Sequence, residues 1–420
     1  MTLIRSWVET ANDPDCPFPL NNLPYGVFST AGTKPRCGVA IGDQVLDVTA
    51  LERAGLLHLG DTPLLDRAAW NPLMAAGPVV WNRLRTILFG HLAEGAGTRD
   101  QIEAHLHPLS AATLHLPFNV TEYTDFYAGR QHAENMGSIM RGSPDLPANW
   151  LHIPIGYNGR ASSVVVSGTP IHRPLGQTKS PDADAPTLGP TKRLDIELEM
   201  GAIVGTSSPF GAPITTETAD AMIFGYVLLN DWSARDIQGW EYQPLGPFQG
   251  KAFGTSISPW IVTAAALEPF RTSVPERVKP LLPYLTESKP GLYDISLQVL
   301  MQPEGAKTAT VVSETNYSRM YYSAAQQLTH HALGGCGMRT GDLLGSGTIS
   351  GPNKSEYGSL MEMSWAGREP FTLDTGETRS FIEDGDTLTL RGAAKGSGYT
   401  IGFGDCTGKI LPAKRNPFVG

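Results

Sequence analysis

Hydrophobic and acidic residues alternate most regularly along the segment "RLDIELEMGAIVG", residues 193–205. One side of the alternation carries acids and the other carries aliphatic side chains: Asp195, Glu197 and Glu199 against Ile196, Leu198 and Met200. Because successive side chains of a strand point to opposite faces, the segment predicts a β-strand with three acids in one row. The row faces either water or the interior, where neighbouring carboxylates require a cation or protonation.

Short strands and a helical region are predicted in the first part of the chain. The segments "YGVFST" and "RCGVAIGDQVLDVTAL" are typical of strands, and the second is expected to fold into a hairpin at its Gly-Asp pair. Residues 63–95 carry apolar side chains at helical spacing, interrupted by a Gly-Pro pair, which predicts two helices. Residues 105–120 are typical of a linker, so we place a domain boundary near Leu116.

Buried strands dominate the pattern after that boundary. The run "MIFGYVLLN" is apolar over the length of a strand and predicts a buried strand that ends at Asp231. Further strands are predicted for "DISLQVLMQ", "SLMEMSWAG" and "DTLTLRGAA", whereas "SRMYYSAAQQLTHHALGG" predicts a helix that ends at Gly334 and Gly335. Thr215 or Thr216 is expected to cap a short helix. We therefore expect a mainly β, α+β protein.

Composition narrows the class of protein. The chain has 420 residues, which favours two domains or one large domain with an appendage, and its 46 glycines and 33 prolines favour many turns. A net charge of −9 argues against a nucleic-acid partner. Charged residues near the N-terminus argue against a signal peptide, and no apolar run is long enough to predict a membrane span, so we expect a cytoplasmic protein. Four separated cysteines indicate neither a zinc site nor a disulfide framework.

Asp125 and Asp231 extend the set of candidate acids. Asp231 ends a predicted buried strand, where rigid scaffolds present reactive groups, but it is equally suited to cap a helix starting at Trp232. Asp125 stands seven residues before His132, a candidate general base. If these two aspartates converge with Glu197 and Glu199, the four carboxylates form an all-oxygen site that suits Ca²⁺ or Mg²⁺ and not Zn²⁺.

A set of motifs distributed along the chain resembles the fumarylacetoacetate hydrolase family. They are "LPYGVFST", "YTDFY", "RQHA", "GRASS", "LDIELEM", "NDWSARDIQGWEY", "LTHH", "GTISG" and "GFGDCTGK". The resemblance implies a small N-terminal SH3-like barrel with a helical appendage, residues 1–116, and a larger C-terminal mixed β-sandwich roll, residues 117–420. It also implies a homodimer that requires Ca²⁺ or Mg²⁺.

The same resemblance implies roles for individual residues. Those implied in metal binding are Asp125, Glu197, Glu199 and Asp231, with Lys251 and Thr255 near the ion. Those implied in catalysis are His132 as general base, Glu362 as the carboxylate that orients it, and Arg235, Gln238 and Lys251 as oxyanion partners. Those implied in substrate binding are Tyr127, Arg141, Tyr157, Gln238, Tyr242 and Thr348. Because an ammonium cannot ligate a cation, we expect Lys251 to bind an oxyanion.

The reaction implied by the resemblance is hydrolysis of the carbon–carbon bond of fumarylacetoacetate, the last step of tyrosine and phenylalanine catabolism. Its substrate is a small diketo diacid, which needs a water-activating base, an electrophilic centre and cationic partners for its carboxylates. Two alternatives remain: a hydrolase of another acylpyruvate or β-diketo acid in the same superfamily, and a non-enzymatic protein that retains the fold. Family members carry Gly-Tyr-His-Gly-Arg where this chain has "GYNGR", so Asn158 is a departure that cannot titrate.

Overall fold

The computed structural model describes residues 2–418 and begins with a small antiparallel sheet. Its strands are β1 (Tyr25–Ser29), β2 (Arg36–Ile41), β3 (Gln44–Asp47), β4 (Leu106–Pro108) and β5 (Thr113–His115), in the order β4-β3-β2-β1-β5. The predicted hairpin is confirmed as β2 and β3. The linker prediction for residues 105–120 is wrong, because β4 pairs with β3 and β5 pairs with β1, so this segment supplies both edges of the sheet.

Four helices lie between or beside these strands. They are α1 (Val48–Arg53), α2 (Asn71–Ala75), α3 (Pro78–Leu92) and α4 (Arg99–Glu103). The two helices predicted in residues 63–95 are confirmed as α2 and α3. Helix α3 buries Leu84, Leu88 and Leu92, which are four residues apart and therefore lie on one face. Across residues 2–418, every helix is too short or too polar to cross a membrane.

The larger part of the chain is built mainly from strands. They are β6 (Tyr123–Phe126), β7 (Gly156–Asn158), β8 (Val164–Val166), β9 (Ile171–His172), β10 (Leu175–Thr178), β11 (Thr187–Pro190), β12 (Leu194–Asp195), β13 (Leu198–Val204), β14 (Ile223–Asp231), β15 (Ser233–Ala234), β16 (Thr255–Ile257), β17 (Val262–Thr263), β18 (Arg271–Thr272), β19 (Leu292–Tyr293), β20 (Ser296–Gln302), β21 (Thr310–Asn316), β22 (Leu343–Gly345), β23 (Phe371–Thr372), β24 (Thr378–Arg379), β25 (Thr387–Gly396), β26 (Tyr399–Gly402) and β27 (Cys406–Leu411). The helices are α5 (Arg130–Arg141), α6 (Thr216–Met222), α7 (Arg235–Glu241), α8 (Gln249–Ala252), α9 (Ala264–Leu267), α10 (Ala324–Ala332) and α11 (Leu360–Met363).

Two large sheets organise this part. One has eight strands, with β17 beside β14 and the main order β7-β6-β22-β13-β14-β16-β8. The other has six strands, with β26 beside β25 and the main order β21-β20-β25-β27-β9. The fold-class prediction is confirmed: the chain is a strand-rich α+β protein with a small N-terminal half-barrel sheet and a larger, curled C-terminal sheet.

Strand β14 lies between two hydrophobic cores, which explains its continuous apolar sequence. Tyr226 and Leu228 belong to the core shared with the six-stranded sheet. Val227 and Leu229 point to the opposite face and belong to the core shared with the N-terminal sheet. Because both faces are covered, the strand cannot show the polar alternation of a half-exposed strand.

Local predictions in this part have mixed outcomes. Thr215 caps α6 by accepting a hydrogen bond from Thr218 N–H, and the predicted helix near residue 330 is confirmed as α10. The strand prediction for "SLMEMSWAG" is wrong, because Ser359 accepts the Glu362 N–H and starts helix α11. The interpretation of Asp231 as a helix cap is also wrong, since α7 begins at Arg235 and Asp231 still belongs to β14.

Replacing Leu228 with alanine tests whether β14 is a central packing element. The side chain is fully buried, so Leu228→Ala should reduce the free energy of unfolding by about 2–5 kcal/mol. Val79→Ala is the control, because Val79 is 74% exposed and its truncation should change stability by less than about 0.5 kcal/mol. Urea unfolding followed by tryptophan fluorescence measures both, and equal stabilities of the two variants would contradict the packing assignment.

Candidate functional site

The acids Asp195, Glu197 and Glu199 lie in the protein interior. The strand is interrupted after Asp195: β12 pairs with β15, and β13 starts at Leu198 between β14 and β22. Asp195 and Glu199 are fully buried, and Glu197 is 5% exposed. The aliphatic residues of the alternation are buried as well. The water-facing interpretation of the row is therefore wrong, and its carboxylates need partners.

Four carboxylates lie close together, as a shared cation site requires. One oxygen from each of Asp125, Glu197, Glu199 and Asp231 lies within 4.8 Å of all the others. Sheet order explains the convergence, because β6, β22, β13 and β14 are consecutive neighbours. Gly345 lies on β22 between Asp125 and Glu199, and a Cβ atom there would come within 2.6 Å of Asp125 Oδ1 and 2.9 Å of Glu199 Oε2. The glycine therefore leaves the space that the two carboxylates use.

Cations neutralise the Glu197 side of this carboxylate cluster. Lys251 donates to Glu197 and, over 2.8 Å, to Asp231 Oδ2. Arg235 Nη1 lies 2.8 Å from Glu197 Oε1. Burial by itself would raise the pKa of Glu197, but the ammonium and the guanidinium outweigh it and hold that pKa well below its usual range. Glu197 is therefore a carboxylate anion.

On the opposite side of the cluster, no cation of residues 2–418 forms a salt bridge with Asp125 or Glu199. Asp125 Oδ1 and Glu199 Oε1 are buried, and neither has a hydrogen-bond partner among residues 2–418. Burial and the neighbouring carboxylates raise the pKa of both acids well above the usual range. Two unpartnered oxygens and an all-oxygen donor set fit a hard divalent cation such as Ca²⁺ or Mg²⁺.

Hydroxyl groups hold the aspartates of the cluster in place. The Tyr157 hydroxyl lies 3.0 Å from Asp125 Oδ2 and 2.9 Å from Asp231 Oδ2, so its single proton is shared between them. Thr255 donates to Asp231 Oδ1 over 3.2 Å. Burial and the adjacent carboxylates raise the pKa of Tyr157 well above its ordinary value, which keeps this hydroxyl a donor.

A histidine–carboxylate pair lies beside the cluster. His132 is in the first turn of α5, and its Nδ1 atom lies 2.7 Å from Glu362 Oε2 in α11. The other ring nitrogen, Nε2, is 3.8 Å from Glu197 Oε1. Burial by itself would raise the pKa of Glu362, but His132 and the hydrogen bonds to the carboxylate outweigh burial and lower that pKa. The carboxylate therefore stays ionised and selects the His132 tautomer that is protonated at Nδ1.

Three residues that the sequence analysis missed hold Glu362. Asn135 Nδ2 donates to Glu362 Oε1 over 2.8 Å, while Ser350 and Ser359 donate to Oε2 over 3.0 Å and 2.7 Å. Two signals were available in the sequence: Asn135 is three residues after His132 on one helix face, and "SLME" has the spacing of a capping box. Ser350 lies in a loop twelve residues before Glu362, and its spacing from Glu362 does not indicate the contact.

A cavity of about 440 Å³ gives access to both groups. The predicted residues in its wall are Asp125, Tyr127, His132, Arg141, Tyr157, Glu197, Arg235, Gln238, Tyr242, Lys251 and Thr348. The predicted residues behind this wall are Glu199, Asp231, Thr255 and Glu362. Glu199, Asp231 and Glu362 accept hydrogen bonds from the wall residues Gly347, Lys251 and His132, whereas Thr255 donates to Asp231. The departure from the family pattern, Asn158, is exposed on β7 outside the cavity wall.

Helix α5 carries both polar and apolar parts of the wall. His132, Met136 and Met140 are four residues apart and share one helix face. Arg141 ends the helix and donates to the Asp145 carbonyl over 2.7 Å. The Tyr127 ring packs edge-on against the His132 ring, with 5.5 Å between centroids. The cavity therefore runs from a histidine beside the cluster, past methionines, to an arginine at the more exposed end.

The chain is similar to known proteins over nearly its whole length. The model for the C-terminal part of fumarylacetoacetate hydrolases matches residues 121–410, and the model for the N-terminal part of fumarylacetoacetases matches residues 21–117. Fumarylacetoacetases from Bos taurus and Homo sapiens are each 48% identical to the chain, and each alignment covers 97% of this chain and 99% of the relative.

A solved structure has the same fold at much lower sequence identity. A fumarylacetoacetate hydrolase from the psychrophile Exiguobacterium antarcticum superposes with a TM-score of 0.53 and 17% identity. The match covers 93% of this chain and all of the other. At this level of identity the superposition supports the fold alone.

Glu199→Ala tests whether the four carboxylates bind a cation together. Removing one of the two acids that hold an unpartnered oxygen should weaken Mg²⁺ or Ca²⁺ binding by about tenfold or more. Isothermal titration calorimetry on metal-free protein measures the affinity. Glu217→Ala, which removes an exposed acid, is the control and should bind as the unmodified protein does. Unchanged affinity in Glu199→Ala would exclude Glu199 as a ligand.

Proposed function

The chain belongs to the fumarylacetoacetate hydrolase family, and from this membership we propose that it hydrolyses the carbon–carbon bond of fumarylacetoacetate to fumarate and acetoacetate. One observation carries the proposal beyond family membership: a histidine–glutamate pair and a four-carboxylate cluster lie against the same cavity. The first supplies a base for water, and the second supplies a site for an electrophilic cation.

His132 is the proposed base. Its Nδ1–H donates to Glu362, which leaves the Nε2 lone pair available to accept a proton from water. The hydroxide then adds to the carbonyl carbon on the fumaryl side of the scissile bond. Collapse of the adduct breaks the carbon–carbon bond and leaves the electron pair on the acetoacetate fragment, whose carbon takes the proton held on Nε2. The hydroxide is then part of the fumarate product, and the proton is part of acetoacetate.

Negative charge develops on the attacked carbonyl oxygen, and three donors of the cavity wall suit it. Arg235, Gln238 and Lys251 all lie in the wall. Arg235 uses Nε and Nη1 for protein carboxylates, whereas its buried Nη2 has no partner among residues 2–418. We therefore assign the Arg235 guanidinium, together with Gln238 and Lys251, to the oxyanion.

The proposed cation ligands are Asp125, Glu197, Glu199 and Asp231, and the ion is Ca²⁺ or Mg²⁺. Bound there, a divalent cation would supply Lewis-acid stabilisation for the enolate charge of the departing acetoacetate fragment. Lys251 is a charge partner of the cluster and not a ligand, because an ammonium has no lone pair. Thr255 acts by holding Asp231.

The substrate is a diacid, so its two ends need donors. Arg141 lies at the more exposed end of the cavity and suits one carboxylate, with Tyr127 and Tyr242 as hydroxyl partners. Thr348 and Tyr157 complete the polar wall nearer the cluster. The methionine face of α5 suits the flat hydrocarbon of the fumaryl group.

The cellular context is also part of the proposal. We propose a cytoplasmic homodimer in tyrosine and phenylalanine catabolism, with domains at residues 1–116 and 117–420. The formal charge of −9 and the cavity of about 440 Å³ favour a small-molecule substrate over nucleic acid. Light scattering of the purified protein measures the oligomeric state.

A substrate comparison distinguishes this function from the alternative in the same superfamily. Purified protein with Mg²⁺ or Ca²⁺ should remove the diketo absorbance of fumarylacetoacetate and release fumarate. Acylpyruvates and other β-diketo acids are assayed under the same conditions. A higher kcat/KM for an acylpyruvate would replace the proposed substrate, and no turnover of any of them would favour a non-enzymatic role.

His132→Ala and Glu362→Gln test the proposed base and the carboxylate that orients it. Each should lower kcat by about 10²–10⁴-fold, because the first removes the proton acceptor and the second disturbs its tautomer and orientation. Steady-state rates are measured in metal-replete protein whose metal content has been determined. His58→Ala removes an exposed histidine and should keep the original kcat. Near-normal turnover in either test variant would show that another group activates water.

A further inference from the structure

Asp195 has neither a metal-binding nor a substrate-binding role in the function proposed above, yet its carboxylate is fully buried and fully used. Oδ1 accepts from Ile196 N–H over 2.8 Å and from Leu360 N–H over 2.7 Å. Oδ2 accepts from Met361 N–H over 3.0 Å and from Arg235 Nε over 2.8 Å. Four donors around two buried oxygens hold the Asp195 side chain in one orientation.

Three of the four donors belong to two functional groups, and the fourth, Ile196 N–H, is local to the strand. Besides its contact with Asp195, Arg235 places Nη1 2.8 Å from Glu197 Oε1 and donates from the same atom to Gln238 Oε1 over 3.2 Å. Leu360 and Met361 are the residues immediately before Glu362 in α11. The same carboxylate therefore contacts the guanidinium at the cluster and the backbone that presents the partner of His132.

We propose that Asp195 is a positioning residue that fixes the Arg235 guanidinium and the His132–Glu362 pair relative to each other. The inference rests on the proposed function and assigns a role to the third acid of the row at residues 193–205. Asp195 itself does not line the cavity, so it acts only through the groups that it holds.

The chemistry of the site requires a carboxylate at this position. An asparagine side chain has one acceptor oxygen and two N–H donors, so at least one of the four inward donors would face another donor. It would also leave the Arg235 guanidinium paired with Glu197 alone, which allows the side chain to turn toward the cluster. Both effects change orientation without removing any group that contacts substrate.

A buried pair elsewhere in the chain provides a matched control for stability. Arg379 donates from Nε and Nη2 to the two oxygens of Asp386, each over 2.9 Å, and Glu383 N–H donates to the same carboxylate. Asp386 is fully buried and lies outside the cavity wall. Asp386→Asn therefore reproduces the loss of a buried, arginine-paired carboxylate without the connection to the site.

The first experiment compares Asp195→Asn and Asp386→Asn in metal-replete protein. Both should lower the thermal midpoint, but only Asp195→Asn should lower kcat/KM per folded molecule, by about 10- to 100-fold. The same activity per folded molecule in both variants would overturn the proposal and leave Asp195 with a stabilising role alone. If the unmodified protein does not turn over fumarylacetoacetate, the proposed function fails and not this inference.

Double-mutant cycles test the two connections separately. Because Asp195 is proposed to act through both Arg235 and Glu362, the effect of Asp195→Asn on kcat/KM should be smaller in an Arg235→Lys background and in a Glu362→Gln background than in the unmodified protein, since each background removes one of the two connections. Full additivity with either background would overturn the proposal, since an independent role gives the same factor in every background.

A spectroscopic measurement does not depend on turnover. The proton in the short His132 Nδ1–Glu362 hydrogen bond should give a downfield NMR resonance, which His132→Ala identifies by removing it. Asp195→Asn should shift or broaden this resonance, whereas Asp386→Asn should leave it in place. An unshifted resonance in Asp195→Asn would contradict the connection from Asp195 to Glu362.

Discussion

Mutual repulsion among buried carboxylates is the constraint on which the rest of this structure depends. Four acids share a space in which one oxygen of each lies within 4.8 Å of the others. Outside water such a group can exist only when cations, protons or strong donors compensate it. The positions of Lys251 and Arg235 on one side, and the unpartnered oxygens of Asp125 and Glu199 on the other, follow from that requirement.

The two large sheets make this costly arrangement possible. Strands β6, β22, β13 and β14 are paired side by side, so side chains from distant parts of the chain are held at fixed spacing. Two hydrophobic cores cover the faces of β14, and their burial offsets the cost of placing charge at its end. Gly345 contributes by having no side chain where two carboxylates must approach.

Hydrogen bonds connect the residues proposed to activate water with those proposed to stabilise charge. Glu362 accepts from His132, Asn135, Ser350 and Ser359, so both the ring and its partner have little freedom to rotate. The proposed role of Asp195 joins this group to Arg235 through one carboxylate. Such rigid support is expected where reacting atoms must meet at a defined distance.

Local sequence determined the features that depend on neighbouring residues. The alternation in residues 193–205, the apolar strand ending at Asp231 and the Thr215 cap follow from side-chain periodicity and capping. The motifs distributed along the chain indicate its family. Tertiary structure alone decided that the acids face inward, that Asp125 meets Asp231, and that β4 and β5 form the edges of the N-terminal sheet. Strand pairing between distant segments depends on long-range register and burial, and these are not encoded in the periodicity of any one segment.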